Sequence, residues 1–388
     1  MRVLVTAAPA VGHLLPVLPA AIAAQAHGHD VLVGCGSSLA PIVRRAGLRH
    51  VDLGPPDLDA VRAALPGLMT MAGRDRARRM YQEGFASISA ARLAADLLTL
   101  ADTWLPHVIV HDDMEMGSSI VAEQLAIPHV VVQATAWRPW QRRFLVEPLN
   151  GIRQRMGLPL DASLAGFDGA MWITTRPGSM RDPAVPLPAA HREMRPVPDD
   201  RLAGDPKVED AWLDEPIARP RIGVTLGTVN AGRVDVVRAI VDGLAGLDVE
   251  VVVALGADPS TLGEVPPNVR VEPYVAMSRL APRCDAIVHH AGAGTTLATF
   301  AAGRPAALVP LTADQFDNAA AALRTGAAIE LDATRLSPEA VRYGVRDLIG
   351  RSTFRVAAQA VADEIAAMPD PVATWREIEA LARGPVHS

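Results

Sequence analysis

The sequence is poor in lysine and cysteine, and each shortage excludes a class of protein. Lys207 is the only lysine among 37 basic residues, and the formal net charge of the 388-residue chain is −6. A basic face for a nucleic acid is therefore not expected. Cys35 and Cys284 are the only cysteines and lie far apart, which gives neither a disulfide framework nor a metal-ligand spacing. A reducing cytoplasm is the simplest setting for this chain.

Long apolar runs are also missing. The sequence has no run of about 18 uninterrupted apolar residues, so we expect no membrane span. The first residues resemble a signal peptide in having one early arginine, an apolar run and then small residues. However, His13 and Pro16 interrupt that run, and residues 2–6 are typical of a first strand. We therefore expect neither a signal peptide nor a membrane partner.

The chain does contain a regular alternation of short apolar runs with helical patterns. Such alternation favours α/β units with parallel, doubly wound sheets, and the length suits two domains. A proline-rich stretch, residues 177–220, indicates the connection between them, and alternation resumes at residue 222. The last segments, residues 338–368 and 372–383, are predicted as two helices.

The most informative stretch begins at residues 286–288, an apolar run typical of a buried strand in a parallel sheet. Residues 290–296 form a glycine-containing turn, and a helix is predicted over residues 297–302. Such a turn presents free backbone N–H groups, to which the helix dipole adds about half a positive charge. The stretch therefore predicts a phosphate site.

A second predicted strand, residues 306–310, is followed by Asp314 and Gln315. Ligands of open α/β sheets bind at the edge formed by the carboxyl ends of the strands. Phosphate donors beside an acid and an amide indicate a nucleotide that carries a group rich in hydroxyls.

The pattern HAGAGTT at residues 290–296, followed by Asp314-Gln315, resembles the donor-binding motif of family-1 glycosyltransferases. The spacing between phosphate histidine and sugar-binding acid (314 − 290 = 24) matches that family. The chain looks most like the bacterial branch that glycosylates antibiotics and other natural products, with polyketide, macrolide or enediyne aglycones.

The resemblance implies the GT-B fold, which is two Rossmann-like domains with parallel sheets facing across a cleft. The expected acceptor-binding domain is residues 1–205, and the expected nucleotide-sugar domain is residues 219–369. A terminal helix, about residues 370–388, is expected to pack back on the first domain, with Trp375 as its anchor. No cofactor and no metal are implied, because the nucleotide diphosphate sugar is a co-substrate.

The resemblance also assigns residues to the donor. His290 is expected at the phosphates, Tyr274 at the base, and the acid and amide at the sugar, although a plain turn residue remains the alternative for Thr228. The donor-binding residues are Thr228, Tyr274, His290, Gly292, Gly294, Thr295, Asp314 and Gln315. Plant relatives carry a ribose-binding glutamate where this chain has Ala298, which favours a donor without a 2′-hydroxyl, such as a TDP-deoxysugar.

Two distant residues are candidates for catalysis. His13 follows the first predicted strand, at the end of a loop over residues 9–13, and Asp112 follows a strand predicted at residues 107–111. Strand ends converge at one edge of a parallel sheet, and a histidine oriented by a carboxylate is a general base near neutral pH. The family uses this pair to deprotonate the acceptor hydroxyl. Asp113 and Glu115 are neighbouring alternatives to Asp112, and helix capping is the other explanation.

Large apolar residues fall in the loops that line the acceptor cleft in relatives. They are Met69, Met71, Trp137, Trp140 and Phe144. They suggest a large lipophilic aglycone, with core packing as the alternative. Asp57 and Asp59 form an Asp-x-Asp pair, but they follow two prolines and are expected to cap a helix rather than bind a metal.

Three other activities remain open. The glycine turn at residues 34–36 and the one at residues 292–294 suggest an NAD-dependent Rossmann oxidoreductase, but neither completes Gly-x-Gly-x-x-Gly, and His290 has no role there. A non-catalytic homologue that binds sugar nucleotide or activates a partner is the second, and a nucleotide-sugar epimerase is the third. The expected partners are the aglycone and the nucleotide-sugar, and a homodimer is compatible with the sequence.

Overall fold

The chain forms two compact units. In this computed structural model the described residues are 1–71, 73–136, 139–197, 202, 211–227 and 232–383. Unit 1 comprises Met1–Thr175, Pro183–Val197 and Met368–Ser388, and unit 2 comprises Arg176–Asp182 and Pro198–Ala367.

Unit 1 is built on a parallel sheet of seven strands. In chain order they are β1 Arg2–Thr6, β2 Asp30–Cys35, β3 Arg49–Asp52, β4 Val108–Asp112, β5 His129–Val132, β6 Met171–Thr174 and β7 His191–Glu193. The sheet order is β3-β2-β1-β4-β5-β6-β7, and each pair is parallel. Strand β4 is buried along its whole length, as expected for a central strand covered on both faces.

The crossovers of unit 1 are helical. The α-helices are α1 Val11–Ala26, α2 Ala40–Arg45, α3 Leu58–Ala63, α4 Gly73–Arg79, α5 Ala90–Ala101, α6 Gly117–Gln124 and α7 Val146–Arg155. A π-helical segment, Met80–Ser89, joins α4 to α5. By length and composition alone Asp75–Ala101 could cross a membrane. Part of its apolar surface is used inside unit 1, where Phe85, Leu93 and Leu97 lie in the core.

Unit 2 repeats the architecture with six parallel strands. They are β8 Arg221–Thr225, β9 Glu250–Ala254, β10 Val269–Glu272, β11 Ala286–His289, β12 Ala306–Leu308 and β13 Ala328–Glu330. The sheet order is β10-β9-β8-β11-β12-β13. The helices are α8 Val234–Leu244, α9 Met277–Leu280, α10 Ala293–Ala301, α11 Gln315–Arg324, α12 Pro338–Gly350 and α13 Ser352–Ala367. An apolar core of Val, Leu and Ile lies under α8 and α12.

Two helix predictions in unit 2 were wrong in their bounds. Helix α10 begins at Ala293 rather than at residue 297, because Gly292 is its N-cap and the predicted turn residues already have helical geometry. The single helix predicted over residues 338–368 is two helices, because Gly350 has low helix propensity and Arg351 is extended.

The last helix, α14 Pro371–Arg383, belongs to unit 1 and contacts α1. Trp375 is fully buried, with its ring centroid 5.3 Å from that of His29. Just before this helix, Pro369 O accepts a backbone hydrogen bond from Arg195 N at 2.7 Å. A buried indole and a backbone bond thus hold the helix in unit 1.

The residue ranges of the two units differ from the predicted domain boundaries at residues 205 and 219. Residues 176–182, called the connector below, belong to unit 2, where Ser179 N donates to Glu364 and Arg324 donates to Met180 O. The chain then returns to unit 1 for β7, a strand inside the predicted irregular connection. Cys35 and Cys284 are free and buried, which agrees with the absence of a predicted disulfide framework.

Candidate functional site

The first site lies where the two central strands of unit 1 end. Strands β1 and β4 are parallel neighbours with Thr6 opposite His111, so the residues that follow each strand come together. His13 Nδ1 lies 2.9 Å from Asp112 Oδ1, although 99 residues separate them in the chain. The expected loop position of His13 was wrong: helix α1 starts at Val11, so the imidazole projects from its first turn.

Asp112 is held by hydrogen bonds on both oxygens. Its Oδ2 accepts from Ala8 N at 2.7 Å, and its Oδ1 accepts from Met114 N at 2.8 Å as well as from His13. A carboxylate only accepts, so His13 must donate through Nδ1, which leaves the lone pair of the neutral ring on Nε2. That tautomer is the one a general base requires.

Asp113, the open alternative to Asp112, has a different set of partners. It accepts from Thr135 Oγ1 at 2.6 Å and from Ala134 N at 3.0 Å, and so holds the loop after β5. Burial, and then the neighbouring Asp112 charge, raise the pKa of Asp113 to about 6, against the opposing hydrogen bond from Thr135. The geometry therefore brings Asp112, and not Asp113, to His13 Nδ1.

Glu115 is a third buried acid in the same loop and caps helix α6. Its Oε1 accepts from Gly117 N at 2.8 Å and Ser118 N at 3.1 Å, and its Oε2 accepts from Thr6 Oγ1 at 2.7 Å. A carboxylate is stabilised at a helix N-terminus by these N–H groups and by the dipole. The helix-cap explanation that the sequence left open applies to Glu115.

Phe85 completes the surroundings of His13. The two ring centroids are 5.6 Å apart with the planes tilted by 52°, and Phe85 projects from the π-helical segment. π-Helical turns are rare and are often found at functional sites. Sequence reasoning missed Phe85, because apolar periodicity does not distinguish a π-helical turn from an α-helical one.

His13, Asp112 and Asp113 each offer a ligand atom, and these atoms lie within 4.8 Å of one another. The carboxylate oxygens of the two acids already accept hydrogen bonds from main-chain and hydroxyl donors, which is the pattern of structural carboxylates. The separate Asp-x-Asp pair behaves as expected, since Asp57 caps α3 by accepting from Ala60 N at 2.7 Å. Independence from metal stays a prediction.

The second site lies where β8 and β11 end in unit 2. His290 follows β11, and its ring is packed against two glycines. A Cβ on Gly227 would lie 2.7 Å from His290 Cε1, and one on Gly292 would lie 2.3 Å from its Nε2. Gly227 also has φ +68°, a conformation that favours glycine. Both glycines are therefore required by the imidazole.

Burial lowers the pKa of His290 to about 4, against the opposing effect of a hydrogen bond to the backbone of Thr225. His290 is therefore neutral near pH 7, and a neutral imidazole binds phosphate as a hydrogen-bond donor rather than as a cation. The adjacent His289 is fully buried in the core, and its Nδ1 accepts from Ala291 N at 3.0 Å.

Helix α10 begins at Ala293, shortly after His290. Gly292 is the N-cap, Gly294 is exposed with open space around its Cβ position, and Thr295 is half-buried. The first N–H groups of a helix have no intrahelical acceptor. The arrangement can bind an anion through the main chain, the Thr295 hydroxyl and the helix dipole.

Asp314 is the N-cap of α11 and Gln315 is the first residue of that helix, which follows the turn after β12. Gln315 Oε1 accepts from Leu311 N at 2.8 Å and from Thr312 N at 3.0 Å, which closes the turn around Ala313 at φ +54°. Because its oxygen is used, the amide nitrogen is the part of Gln315 that a ligand can engage. Asp314 is half-buried and can accept hydroxyl protons.

The remaining donor candidates differ in what the structure describes. Tyr274 follows the edge strand β10 and is half-buried. Thr228 lies outside the described residues. His290, Asp314 and Tyr274 each follow a strand of one parallel sheet, which places them at the same sheet edge.

The acceptor candidates belong to unit 1. Met69 is 66% exposed, and Met71 Sδ lies 3.8 Å from Arg79 Nη1. The guanidinium groups of Arg78 and Arg143 lie 4.7 and 4.6 Å from the centroid of the Phe144 ring. Trp137 and the side chain of Trp140 lie outside the described residues.

Comparisons with known proteins show the family of this chain. Residues 22–227 match the family described as "Erythromycin biosynthesis protein CIII-like, N-terminal domain", and residues 238–381 match its C-terminal domain. The L-demethylnoviosyl transferase of Streptomyces niveus is 31% identical over 388 residues, covering 96% of each chain.

Solved structures show the same relationship. The glycosyltransferase SnogD from Streptomyces nogalater has a TM-score of 0.82 and 30% identity, over 98% of this chain and 99% of that one. The glycosyltransferase VinC, solved in complex with DTDP, has a TM-score of 0.81 and 27% identity, over 99% of this chain and 100% of that one. The predicted fold class and the family resemblance are confirmed. The chain therefore belongs to the erythromycin biosynthesis protein CIII-like family and is a GT-B glycosyltransferase of the antibiotic-biosynthesis type.

Proposed function

We propose that this glycosyltransferase inverts the anomeric centre of a TDP-deoxysugar as it transfers the sugar to a hydroxyl of a lipophilic aglycone. His13 is the general base and Asp112 orients it. The observation that carries the proposal is the 2.9 Å contact of His13 Nδ1 with a carboxylate that two main-chain donors hold in place.

The reaction needs one proton acceptor. His13 Nε2 takes the hydroxyl proton as the hydroxyl oxygen bonds to the anomeric carbon. The bond from that carbon to the diphosphate oxygen breaks, and the nucleoside diphosphate leaves with the electron pair. Attack opposite the leaving group inverts the centre. The developing charge on the diphosphate is met by His290 and the N-terminus of α10.

The test of the base is His13→Ala. Loss of a positioned base lowers the rate by about 10²–10⁴-fold. The affinity for thymidine diphosphate, measured by calorimetry, is expected to stay within about twofold, because His13 is not among the donor-binding residues. A twofold shift is a small part of a binding free energy. The matched control is His27→Ala at the exposed end of the same helix, which should keep full turnover. Wild-type turnover in His13→Ala would end the assignment.

The proposal also includes a thymidine nucleotide. VinC is described in complex with DTDP, and Ala298 replaces the carboxylate that would receive a ribose 2′-hydroxyl. A buried 2′-hydroxyl without a partner costs about 1–3 kcal/mol, which corresponds to about tenfold or more in affinity. Thymidine diphosphate should therefore bind more tightly than uridine diphosphate.

The comparison is best made with nucleotides rather than with Ala298→Glu. Ala298 is 4% exposed within an apolar cluster that includes Val252, Leu280 and Ile287, so a glutamate there threatens the fold. Calorimetry on thymidine, uridine and 2′-deoxyuridine diphosphates separates the 5-methyl group from the 2′-hydroxyl. Equal affinities for all three would make Ala298 a packing residue only.

The aglycone is proposed as large and apolar. Exposed Met69 supports this, together with the antibiotic-biosynthesis family. A panel of aglycones incubated with mixed nucleotide-sugars and read by mass spectrometry tests it, and glycosylation of small polar acceptors alone would contradict it. The same panel separates transfer from a non-catalytic homologue and from an epimerase. A cytoplasmic location is part of the proposal.

A further inference from the structure

A buried chain of polar side chains in unit 2 leads from the connector to Asp314. Arg176 Nη2 donates to Asn318 Oδ1 at 2.6 Å, and Asn318 Nδ2 donates to Asp314 Oδ2 at 3.1 Å. Arg176 is 5% exposed and Asn318 is fully buried. The Arg176–Asn318 contact is therefore shielded from bulk water and is worth more than a surface contact, whereas Asp314 at the other end is half-buried.

The hydrogen bonds from Arg176 through Asn318 to Asp314 can run in only one direction. A guanidinium can only donate and a carboxylate can only accept, so the Asn318 amide must turn its oxygen to Arg176 and its nitrogen to Asp314. The reverse orientation would set the amide nitrogen against the guanidinium and the amide oxygen against the carboxylate. Arg176 and Asp314 thus favour the same orientation of the Asn318 amide, and Arg176 holds it from the buried side.

These contacts orient the carboxylate of Asp314. Its main-chain oxygen accepts from Asp317 N and Asn318 N in the first turn of α11, and its Oδ2 is held by the Asn318 amide. Carboxylate rotation is restricted, so a hydroxyl-bearing ligand meets one fixed arrangement of the two oxygens. A fixed acceptor discriminates between sugar epimers, because a misplaced hydroxyl leaves a buried group unpaired.

We propose that Arg176 and Asn318 are positioning residues that set the sugar selectivity of the donor site by fixing the orientation of Asp314. Arg176 acts on the sugar through Asn318 and not by contact. This inference rests on the proposed role of Asp314 as an acceptor for sugar hydroxyls. The connector is then part of the specificity apparatus and not only a covalent link between the units.

The experiment measures how much the sugar adds to nucleotide binding. Calorimetry gives the affinity for thymidine diphosphate and for each of a panel of TDP-hexoses, with TDP-glucose first, and the ratio of the two is the sugar increment. Asp314→Ala is the benchmark and should remove the increment. Asn318→Asp keeps an acceptor for Arg176 but sets a second carboxylate against Asp314, so the increment should fall by about tenfold.

Arg176→Met leaves the amide without its donor and should also lower the increment by about tenfold, whereas Arg176→Lys should restore part of it. The matched control is Arg324→Met. Arg324 also binds the connector, through Met180 O at 3.0 Å, but takes no part in the chain to Asp314. Its increment and the preference among hexoses should stay unchanged. In every variant the affinity for thymidine diphosphate and the melting temperature report whether the fold persists.

Each outcome decides one point. If no TDP-hexose binds more tightly than thymidine diphosphate, or if Asp314→Ala keeps the increment, the proposed role of Asp314 fails and this inference fails with it. If Asp314→Ala removes the increment but the Arg176 and Asn318 variants retain it, only the positioning role is wrong. If Arg324→Met lowers it equally, the connector acts as a whole, and the specific chain is again wrong.

Discussion

His13 in unit 1 and His290 in unit 2 lie at the carboxyl ends of equivalent pairs of central strands. In unit 1 the pair is β1 and β4, where the first turn of α1 supplies a histidine and the last residue of β4 supplies an acid. In unit 2 the pair is β8 and β11, and the loops supply a glycine and a histidine. The same crevice of a parallel sheet therefore holds two different chemistries.

The difference lies in what faces each ring. His13 meets the Asp112 carboxylate and keeps 16% of its side chain exposed, so a charged imidazolium is stabilised there. His290 meets Gly227 and Gly292, and burial keeps it neutral. A base must gain a proton during the reaction, whereas a phosphate ligand must keep its N–H, and the surroundings of the two rings suit these two tasks.

The largest expected effect comes from removing the charge beside His13. In Asp112→Asn the amide cannot accept from Ala8 N, Met114 N and His13 Nδ1 together, so the imidazole loses its orientation. We expect kcat to fall by about 10²–10⁴-fold with unchanged thymidine diphosphate affinity. Steady-state kinetics and calorimetry measure the two. Asp59→Asn, at a surface acid paired with Arg62, is the control. Activity within a few-fold of wild type would remove the distinction between the two sites.

The next effect concerns the second acid of unit 1. The pKa of Asp113 in the folded chain is raised to about 6 from 3.8, so its favourable contribution is complete below pH 3.8 and is lost as the pH rises through 6. The free energy of unfolding of the wild type, relative to Asp113→Asn, should fall by up to about 3 kcal/mol between pH 4 and pH 7. Urea unfolding across this range measures it. Parallel curves for the two proteins would show that Asp113 does not titrate there.

A smaller loss of stability should follow from crowding His290. In Gly227→Ala the new Cβ would lie 2.7 Å from the imidazole at φ +68°, which should cost about 1–3 kcal/mol and weaken nucleotide binding. Gly294→Ala is the matched control for stability, because its Cβ meets open space, and its unfolding free energy should be unchanged or slightly raised. Equal effects of the two substitutions on urea unfolding would argue against the close packing.

The last prediction is that the His290 ring is not protonated between pH 8 and pH 5.5. His290, with a pKa of about 4, should show no change in its ring NMR signals between pH 8 and pH 5.5. His290→Gln identifies the signal. Because the pKa is lowered by folding, the stability that His290 contributes is complete above its unfolded pKa of 6.5 and is lost as the pH falls towards 4. A midpoint near 6.5 for His290 would show that burial does not lower its pKa.

Much of the architecture was predictable from the sequence. Short apolar runs between turn residues located β1, β4 and β11 to within one residue, because a buried parallel strand leaves a continuous apolar signal. Strands with weaker signals, β7 and β13, were missed. They are only three residues long and partly exposed, so their chains carry too few apolar residues to stand out.

The candidate site was also partly predictable. Residue type and position after a strand were enough to select His13, Asp112, His290 and Asp314 as candidates. The family resemblance selected Asp112, but the residues alone did not separate it from Asp113, because the two acids are adjacent and have the same chemistry. The tertiary structure separates them, since neighbouring positions at the end of a strand point to different loops.

The sequence by itself determined the two parallel sheets, the glycine turn before α10 and the residue types at the strand ends, because these depend on local periodicity and on backbone conformation. The tertiary structure alone decided the contacts between distant residues. Arg176 and Asn318 lie 142 residues apart and His13 and Asp112 lie 99 apart, and no local preference links such pairs. Their direction, charge state and burial follow from the folding of each unit around its sheet, which brings strand ends and connector together and excludes water from them.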